Sequence, residues 1–530
     1  MSGFEPPAGW LRRRTLLTSA ALLAGAAPLP RRPVALSQAP RPGDVSAPGW
    51  RRDLLICWGD RVEFDAPRFD PTAATDTAAA TQFGWDAVVL GAVPVPSGAD
   101  RTDRLVLAVA HPTAEARMMF PGGRDRPKLA GLAQGASILD LERRGGRWRI
   151  ADGGFQARRI SSHTLCRLAG PATKRLGDSV PGVLGVGGGC VTPWGTVLLA
   201  EGDPAPWFDR LGKADDLYAG PAALPLYGWM VELDPLDPMA LPVKRTALGR
   251  LARAGAAATL AADGRAVVFM SDASRNGFLF RFVSAGRAAA GSPGGNRALL
   301  DDGTLSVARA EGTKLRFVDL PPEPAGGMAW LEAASLAGAA EFDSPNGLAI
   351  GIDGVLHLAC RGTPRRARID AFNPRTANAA GHLLAFHPDG NDATAAEWSS
   401  EIVLLGGDPA SGGGVYPEGS QAWLAAPCSL GRDATGRLWI GTDQQGALSA
   451  TADGLFVATP PGNALTAVCF APRGGAIGGA VVVDGTVFTA IRHPGAEPGA
   501  SFDRPGTPWP GTKPGQKPRT AVVSLTGNPS

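Results

Sequence analysis

The sequence predicts an all-β protein, a β-propeller of about six blades with long insertions and few short helices. Three observations predict this fold. A turn-and-strand unit recurs along the chain, glycine and proline are abundant at 71 and 47 of 530 residues, and stretches with helical periodicity are scarce. Apolar residues make up 44% of the chain and charged residues only 19%, which indicates a folded chain with a large core.

The recurring unit is a short turn, most often Asp-Gly, followed by an apolar strand. Asp-Gly favours a hairpin because glycine adopts the positive φ that the turn needs. Because one such unit cannot bury both of its faces, we expect the copies to stack around a common axis. The turns of the six copies are Trp194-Gly195, Asp263-Gly264, Asp302-Gly303, Asp353-Gly354, Thr435-Gly436 and Asp484-Gly485.

Two copies match over a longer stretch. Pro345 and Pro427 are each followed by leucine at the third position, glycine at the ninth and leucine at the eleventh. A strand, a glycine turn and a second strand at the same offsets indicate one structural unit used twice. The alanine-rich stretch 250–260, in contrast, is expected to form one short helix.

The N-terminus has the parts of a signal peptide. Three arginines, 12–14, precede the apolar run 16–23, and Ala24-Gly25-Ala26 offers a small-residue cleavage site. The order Arg-Arg-x-Leu-Leu favours the twin-arginine export machinery, so we expect a periplasmic or secreted protein. No other run is apolar and long enough to predict a membrane span.

The domain boundaries follow from this organisation. Residues 1–37 are predicted as the twin-arginine signal peptide and the start of a linker, and 38–50 as the linker. Residues 51–525 form a single β-propeller domain, and 526–530 a C-terminal tail.

Charge and cysteine content exclude some functions. The formal net charge is only +3, and no basic tract lies outside the N-terminus, so we expect no nucleic-acid partner. The six cysteines form no C-x-x-C pair, which argues against a zinc ribbon or a thioredoxin-like site. They are either buried small hydrophobic residues or disulfide partners whose pairing the spacing does not define.

Eight short segments carry a family resemblance. Their order along most of the chain, from Trp50 to Leu525, is similar to that of the PhoX-type secreted alkaline phosphatases. The segments are 51–60, 119–122, 191–196, 228–235, 244–250, 373–375 with 381–383, 493–495 and 518–519.

This resemblance implies a β-propeller, twin-arginine export, and a cluster of iron and calcium ions that hydrolyses phosphate monoesters. The expected partner is therefore a small phosphorylated molecule. In such a site carboxylates hold hard cations, and the cations bind phosphate oxygens, neutralise developing charge and activate an oxygen nucleophile.

Several positions depart from the family pattern. Gly187 stands where the family has a cysteine ligand, and Cys190 lies three residues later. Arg253-Ala254 replaces His-Glu, while neutral Asn346 and Cys428 replace acidic residues. Because each lost carboxylate removes a negative charge, we expect the multinuclear cluster, iron included, to be absent.

Four acidic residues remain as candidate metal ligands. They are Glu201, Asp272, Asp343 and Asp443. Glu201 and Asp272, with backbone carbonyls, could still hold one calcium ion. Three histidines also match family positions, and we expect them to be structural: His111, His382 and His493.

Three functions stay open at this point. The first is a PhoX-like exported phosphatase that hydrolyses phosphate monoesters with an altered metal site. The second is a non-catalytic propeller that kept the scaffold, lost the cluster and serves as a binding module. The third is a calcium-dependent propeller similar to lactonases or esterases, suggested by the stretch 344–349.

Overall fold

The computed structural model describes residues 36, 38–96, 102–289, 294–321, 330–444 and 451–527. One compact unit begins at Leu36. The predicted signal peptide, 1–37, lies outside the described residues except for Leu36, so its prediction stands on the sequence. No helix within the described ranges has the length and apolar character needed to cross a membrane.

The first two described strands belong to blades formed much later in the sequence. Blade one follows them, and β7 pairs with its third strand, β5. The two strands and blade one are β1 (Val45–Ser46), β2 (Arg51–Cys57), β3 (Val88–Val95), β4 (Arg104–His111), β5 (Gly135–Arg144), β6 (Arg147–Ile150) and β7 (Arg158–Ile160).

Blade two has six strands, in the order β10-β11-β12-β13-β8-β9 from the inside outwards. All of its pairs are antiparallel except β13 with β8. Its strands are β8 (Leu165–Ala169), β9 (Ser179–Pro181), β10 (Val186–Val191), β11 (Val197–Glu201), β12 (Met230–Leu233) and β13 (Val243–Arg245).

Blades three and four join at their outer edges, where β19 pairs with β24, so they form one nine-stranded sheet. The short strands β16 and β20 pair with each other. The strands are β14 (Arg253–Leu260), β15 (Arg265–Asp272), β16 (Asn276–Gly277), β17 (Leu279–Arg287), β18 (Gly303–Glu311), β19 (Lys314–Asp319), β20 (Phe342–Asp343), β21 (Pro345–Ile350), β22 (Leu356–Cys360), β23 (His382–Pro388) and β24 (Glu397–Leu405).

Blades five and six are completed by the N-terminal strands. β1 pairs with β28 at the edge of blade five, and β2 pairs with β31 as the outer strand of blade six. The segment 38–50, expected as a linker, thus contributes β1 to blade five. The remaining strands are β25 (Pro427–Arg432), β26 (Leu438–Thr442), β27 (Gly454–Thr459), β28 (Ala464–Phe470), β29 (Ala476–Val483), β30 (Thr486–Arg492) and β31 (Ala521–Thr526).

The six innermost strands close into a ring. Each contacts the next in the circle β3, β10, β14, β21, β25, β29 and back to β3. The predicted propeller of six blades is confirmed. The two segments that matched over a longer stretch are indeed equivalent units. Pro345 and Pro427 each begin an innermost strand, and each of these strands has a β-bulge at its start.

The six repeated turns do not correspond one-to-one with the six blades. Five of them join an innermost strand to the second strand of its blade. The turn at Asp302-Gly303 instead begins β18, in the same blade as the turn at Asp263-Gly264. Blade one has no copy that the turn pattern detected.

The prediction of a helix at 250–260 was wrong, because this stretch is mainly the innermost strand β14 (Arg253–Leu260). Innermost strands approach one another closely, so small residues are favoured there whatever their helix propensity. A Cβ atom added at Gly188 would lie 2.5 Å from the carbonyl oxygen of Ala254, and one at Gly255 would lie 2.6 Å from that of Asn346. The alanines and glycines of these strands permit a narrow ring.

Alternate side chains of each blade pack against opposite neighbours. On β4, Val106 and Ala108 face blade two, while Leu105 and Leu107 face blade six. The same alternation gives one buried apolar cluster between every two successive blades. These six clusters hold the blades at fixed angles around the axis.

Among the residues that the structure describes, the helices are few and none exceeds seven residues, as the sequence predicts. The α-helices are α1 (Asp76–Thr81), α2 (Ala116–Met119), α3 (Pro127–Ala133), α4 (Thr173–Leu176), α5 (Ala205–Leu211) and α6 (Trp330–Leu336). The 3₁₀ turns are Pro121–Gly123, Asp216–Tyr218, Pro221–Leu226, Thr246–Leu248, Gly294–Asn296, Asp389–Asn391 and Pro409–Ser411.

Candidate functional site at the mouth of the propeller

One end of the ring gathers the charged residues of the candidate site. In every blade the second strand ends opposite the start of the innermost strand, as with Glu201 opposite Val186 and Asp272 opposite Arg253. We call this rim the mouth. It is formed by residues at the ends of the second strands or directly after them: His111, Glu201, Asp272, Arg361, Asp443 and Arg492.

The structure brings all four predicted metal ligands to this rim. Glu201 and Asp272 end second strands, and Asp443 directly follows one. Asp343 precedes β21, and its carbonyl oxygen accepts a hydrogen bond from Gly362 N–H at 3.0 Å, next to Arg361. The four carboxylates nevertheless do not converge, because each is engaged by different protein groups.

Glu201 forms a fully buried ion pair with Lys244. Its Oε1 lies 2.9 Å from Lys244 Nζ and accepts a hydrogen bond from Leu184 N–H at 2.9 Å. Its Oε2 accepts hydrogen bonds from Gly228 N–H at 3.0 Å and Trp229 N–H at 2.9 Å. These four donors match the four lone-pair positions of a carboxylate, so a metal ion at Glu201 would have to displace one of them.

Asp272 is held more locally. Ser274 donates to Oδ1 from its backbone N–H at 3.3 Å and from its hydroxyl at 3.1 Å. The side chain is almost entirely buried, and burial raises the pKa of Asp272 above its usual range. This environment is typical of a structural turn aspartate.

Asp343 is fully buried between Arg366 and Asn378. Arg366 Nε donates to Oδ1, and Asn378 Nδ2 donates to Oδ2 at 3.0 Å. Asn378 also hydrogen-bonds His382 at 2.9 Å, and burial lowers the pKa of His382 to about 4. His382 is therefore neutral, and through Asn378 it belongs to the hydrogen-bond network that holds Asp343.

Asp443 lies among three basic side chains. Arg492 Nη1 donates to Asp443 Oδ2 at 2.9 Å, Arg361 Nη2 lies 3.5 Å from Oδ1, and His493 Nε2 lies 3.9 Å from Oδ2. Burial lowers the pKa of His493, but Asp443 raises it by more, so the net shift is upward. Arg492 also forms a bidentate pair with buried Asp86.

His111 takes part in a buried hydrogen-bond network at the rim. Its Nδ1 contacts the carbonyl oxygen of Asp86, and its Nε2 lies 2.7 Å from the Ser137 hydroxyl. Burial lowers the pKa of His111 well below its usual range, so the imidazole is neutral. Its place in the structure fits the structural role expected for it.

Arg253 is a buried cation at the start of the innermost strand of blade three. Its guanidinium donates to four backbone carbonyl oxygens, and burial lowers its pKa to about 9. Within the described ranges it forms no ion pair with a carboxylate. Its charge nevertheless interacts with both Glu201 and Asp272.

The residues at the mouth do not fit the iron and calcium cluster that the resemblance implies. Among the described residues, no group of three or more His, Cys, Asp or Glu side chains is placed to hold a metal ion. Three of the four candidate carboxylates face Lys or Arg side chains, and buried Arg253 adds positive charge beside the other, Asp272. Cys190 lies opposite Leu198, further along β10 from the mouth. All six cysteines are unpaired thiols.

Beside Arg492 the mouth opens into a cavity of about 600 Å³, which we call the mouth cavity. It combines charged side chains with an apolar wall on one side. Its lining residues are Asp86, Thr113, Ala114, Glu115, Arg117, Pro206, Trp207, Arg210, Asp443, Arg492, His493, Ala496 and Pro498.

Sequence reasoning missed most of the basic residues at the mouth. Arg492 directly precedes the family segment 493–495, and Arg361 directly follows the second strand of blade four. Arg492 and Arg361 could have been found from their positions, since each lies at the end of a second strand or directly after it, as the acidic candidates Glu201 and Asp443 do. Asp86 had no such signal, because it lies before the first blade.

Comparison with known proteins supports the family resemblance. The family described as alkaline phosphatase PhoX matches residues 35–495. The solved structure of Pseudomonas fluorescens PhoX in complex with vanadate, a transition-state analogue, is 26% identical, with a TM-score of 0.84 over 93% of this chain and 97% of that chain. No curated protein sequence matches.

More distant structures share too little geometry to support an argument. A putative gluconolactonase is 12% identical, with a TM-score of 0.33 over 90% of this chain and 94% of its own. The gluconolactonase XC5397 of Xanthomonas campestris is 13% identical, with a TM-score of 0.29 over 89% and 98%. The family match over residues 35–495 and the fold shared with Pseudomonas fluorescens PhoX show that this protein belongs to the alkaline phosphatase PhoX family.

Proposed function

We propose that this protein is an exported PhoX-family phosphatase that acts on small phosphate monoesters, with the phosphate group binding in the mouth cavity. One observation carries the proposal. The rim that collects charged residues from five of the six blades opens into a cavity bearing Arg492 and His493, on a scaffold whose Pseudomonas fluorescens relative holds vanadate.

Arg492 is suited to bind a phosphate oxygen because two carboxylates fix its position and these carboxylates do not occupy all of its N–H groups. Asp86 and Asp443 engage three of its N–H groups, and a guanidinium has five. One N–H group on Nη1 and one on Nη2 therefore remain to bind an anion. His493, whose pKa Asp443 raises, adds positive charge next to them.

The second candidate is a non-catalytic module that binds the phosphate monoester without hydrolysing it. Buried Arg253 and the Lys244–Glu201 pair favour it, because they place protein cations where the family would hold metal ions. Calcium-dependent lactone hydrolysis, suggested by the stretch 344–349, stays a prediction.

Turnover and binding measured together test these candidates. Full-length exported protein is assayed for p-nitrophenyl phosphate hydrolysis with and without added Ca²⁺ and iron, and for phosphate binding by calorimetry. We expect phosphate to bind, and His493→Gln to weaken binding several-fold by removing a charge. His387→Gln, at an exposed site away from the mouth, is the matched control.

Each outcome selects one candidate. Hydrolysis together with binding supports the phosphatase, and binding without hydrolysis under any metal condition supports the module. If phosphate does not bind and is not released from the ester, the proposed function is wrong, and a lactone substrate is the next to assay.

Export through the twin-arginine route is part of the proposal. The family resemblance and the Arg-Arg-x-Leu-Leu sequence support it. Replacing Arg13 and Arg14 by lysine should retain the precursor in the cytoplasm, as measured by cell fractionation. Normal export of that variant would contradict the route but not the binding site.

A further inference from the structure

Trp207 forms part of the apolar wall of the mouth cavity. It lies in the same cavity as Arg492 and His493, and its side chain is half-buried. A Cβ atom added at Gly185, directly before the innermost strand β10, would lie 2.9 Å from Trp207 Nε1. The indole therefore reaches the rim itself.

Helix α5, which carries Trp207, is anchored by the residues on either side of it, and the Arg210 guanidinium carbon lies 5.4 Å from the centroid of the Trp207 ring. On one side Phe208 packs edge-on against Tyr218 and Tyr227, with ring centroids 5.4 Å away in both cases. On the other side Arg210 forms a bidentate pair with Asp125, at 2.8 Å from Nε and 2.6 Å from Nη2. A side chain fixed in this way loses little conformational entropy when a ligand packs against it.

The part of the cavity near Trp207 is close to neutral. Asp125 neutralises Arg210, and the Arg210 guanidinium also donates to the Ala114 carbonyl oxygen at 2.7 Å. Glu115 lies 2.9 Å from Arg117 and neutralises it. This region is therefore unsuited to a second phosphate group, and its remaining surface is the indole with neighbouring alanine and proline side chains.

We propose that the mouth cavity selects phosphate monoesters whose alcohol carries a planar aromatic ring, as in nucleoside or aryl monophosphates. The ring packs against Trp207 and the phosphate faces Arg492. The proposal rests on the proposed function and assigns a substrate class to the same site. A volume of about 600 Å³ lies within the range of small-molecule sites, and aromatic stacking adds affinity without requiring a charged partner.

Three ligands test the proposal, and each differs from the next by one chemical group. Adenosine 5′-monophosphate, ribose 5-phosphate and inorganic phosphate are titrated into the full-length protein by calorimetry, or used as competitors where the ester is hydrolysed. We expect the nucleotide to bind about tenfold more tightly than ribose 5-phosphate, the size of effect that one stacked ring gives.

Variants at Trp207 separate stacking from general damage. Trp207→Leu should remove the preference for the nucleotide and leave phosphate affinity unchanged, while Trp207→Phe should keep most of it. Phe155→Ala, at an aromatic residue that is 72% exposed and not part of the cavity lining, is the control and should change none of the three affinities.

The outcomes distinguish this inference from the proposed function. Equal binding of the nucleotide and ribose 5-phosphate to the unaltered protein, or an equal loss for all three ligands in Trp207→Leu, would overturn the aromatic preference alone. If none of the three ligands binds, the proposed function itself is wrong.

Discussion

Arg492 and Asp86 form a bidentate ion pair that joins the last blade of the propeller to the first. Arg492 Nε and Nη2 each lie 2.8 Å from one carboxylate oxygen of Asp86. Asp86 lies two residues before β3, and Arg492 ends β30. The carboxylate is fully buried and also accepts a hydrogen bond from the Thr113 hydroxyl at 2.9 Å. The ring is therefore closed at the mouth by charge as well as by strand pairing in blade six.

The first prediction concerns the dependence of stability on pH. Burial raises the pKa of Asp86, but Arg492 lowers it by more, and the net pKa is about 2. A carboxyl whose pKa is depressed in the folded state stabilises the protein at pH values above the pKa of about 4 that the carboxyl has in the unfolded state. We expect about 2–3 kcal/mol of the free energy of unfolding to be lost as pH falls from about 4 to 2.

Asp86→Asn isolates this contribution. At pH 7 it should lower the free energy of unfolding by about 3 kcal/mol, because Arg492 loses a buried partner. It should also flatten the acid limb of a urea-unfolding series. Asp152→Asn, at a carboxylate that is 87% exposed in its pair with Arg61, should change stability by less than about 1 kcal/mol. An acid limb that is unchanged in Asp86→Asn would contradict the assignment.

The second prediction concerns the buried pair of Glu201 and Lys244. Lys244→Met leaves Glu201 charged and buried, so it should lower the free energy of unfolding by about 3–5 kcal/mol. Adding Glu201→Gln removes that unpaired charge. The double variant should therefore lose less stability than the sum of the two single variants, since contacting residues do not contribute additively. Additive losses in urea unfolding would show that the two side chains act independently.

The sequence allowed the ring to be predicted because its units are local. The matched segments beginning at Pro345 and Pro427 each lead through a strand, a turn and a second strand within sixteen residues, and both proved to be the inner halves of blades. The alanine-rich stretch 250–260 was misread because helix propensity is intrinsic, whereas the crowding of the ring that selects small residues in β14 is a tertiary effect.

The candidate site was only partly predictable. Glu201 and Asp443 could be found because they remain from the family pattern of acidic residues, and the structure places both at the mouth. Their partners could not be assigned in this way. Arg492 and Asp86 are 406 positions apart, and no local pattern connects two residues that meet only when the last blade returns to the first. Trp207 lies in an insertion of blade two, outside the repeated unit.

The third prediction tests how closely the innermost strands approach one another. Gly188→Ala places a Cβ atom 2.5 Å from the Ala254 carbonyl oxygen, so blades two and three must move apart. We expect a loss of about 1–3 kcal/mol in the free energy of unfolding, as for other overpacked sites. Gly43→Ala adds a Cβ atom with nothing within 4 Å and should have little effect. Equal stability of the two variants would mean that the ring is wider than described.

The last prediction concerns metal content, and it follows from the donors at the mouth. A carboxylate binds a metal ion well when its lone pairs are available and its surroundings are negative. Glu201 accepts four hydrogen bonds, Asp343 faces Arg366, and Asp443 faces Arg361 and Arg492. We therefore expect less than one iron and less than one calcium per chain by elemental analysis of protein purified from its export compartment.

A second experiment, in which metal is removed and then added back, should also show that the folded protein binds little metal. Dialysis against a chelator should leave the unfolding temperature unchanged, and adding Ca²⁺ or iron back should not raise it, because a ligand that binds only the folded state always stabilises it. The unfolding temperature is followed for the unaltered protein and for Glu201→Gln. Two or more iron ions per chain would contradict the expected metal content. A chelator-dependent fall that Glu201→Gln abolishes would show that Glu201 is a metal ligand and that Lys244 moves away from it when the ion binds.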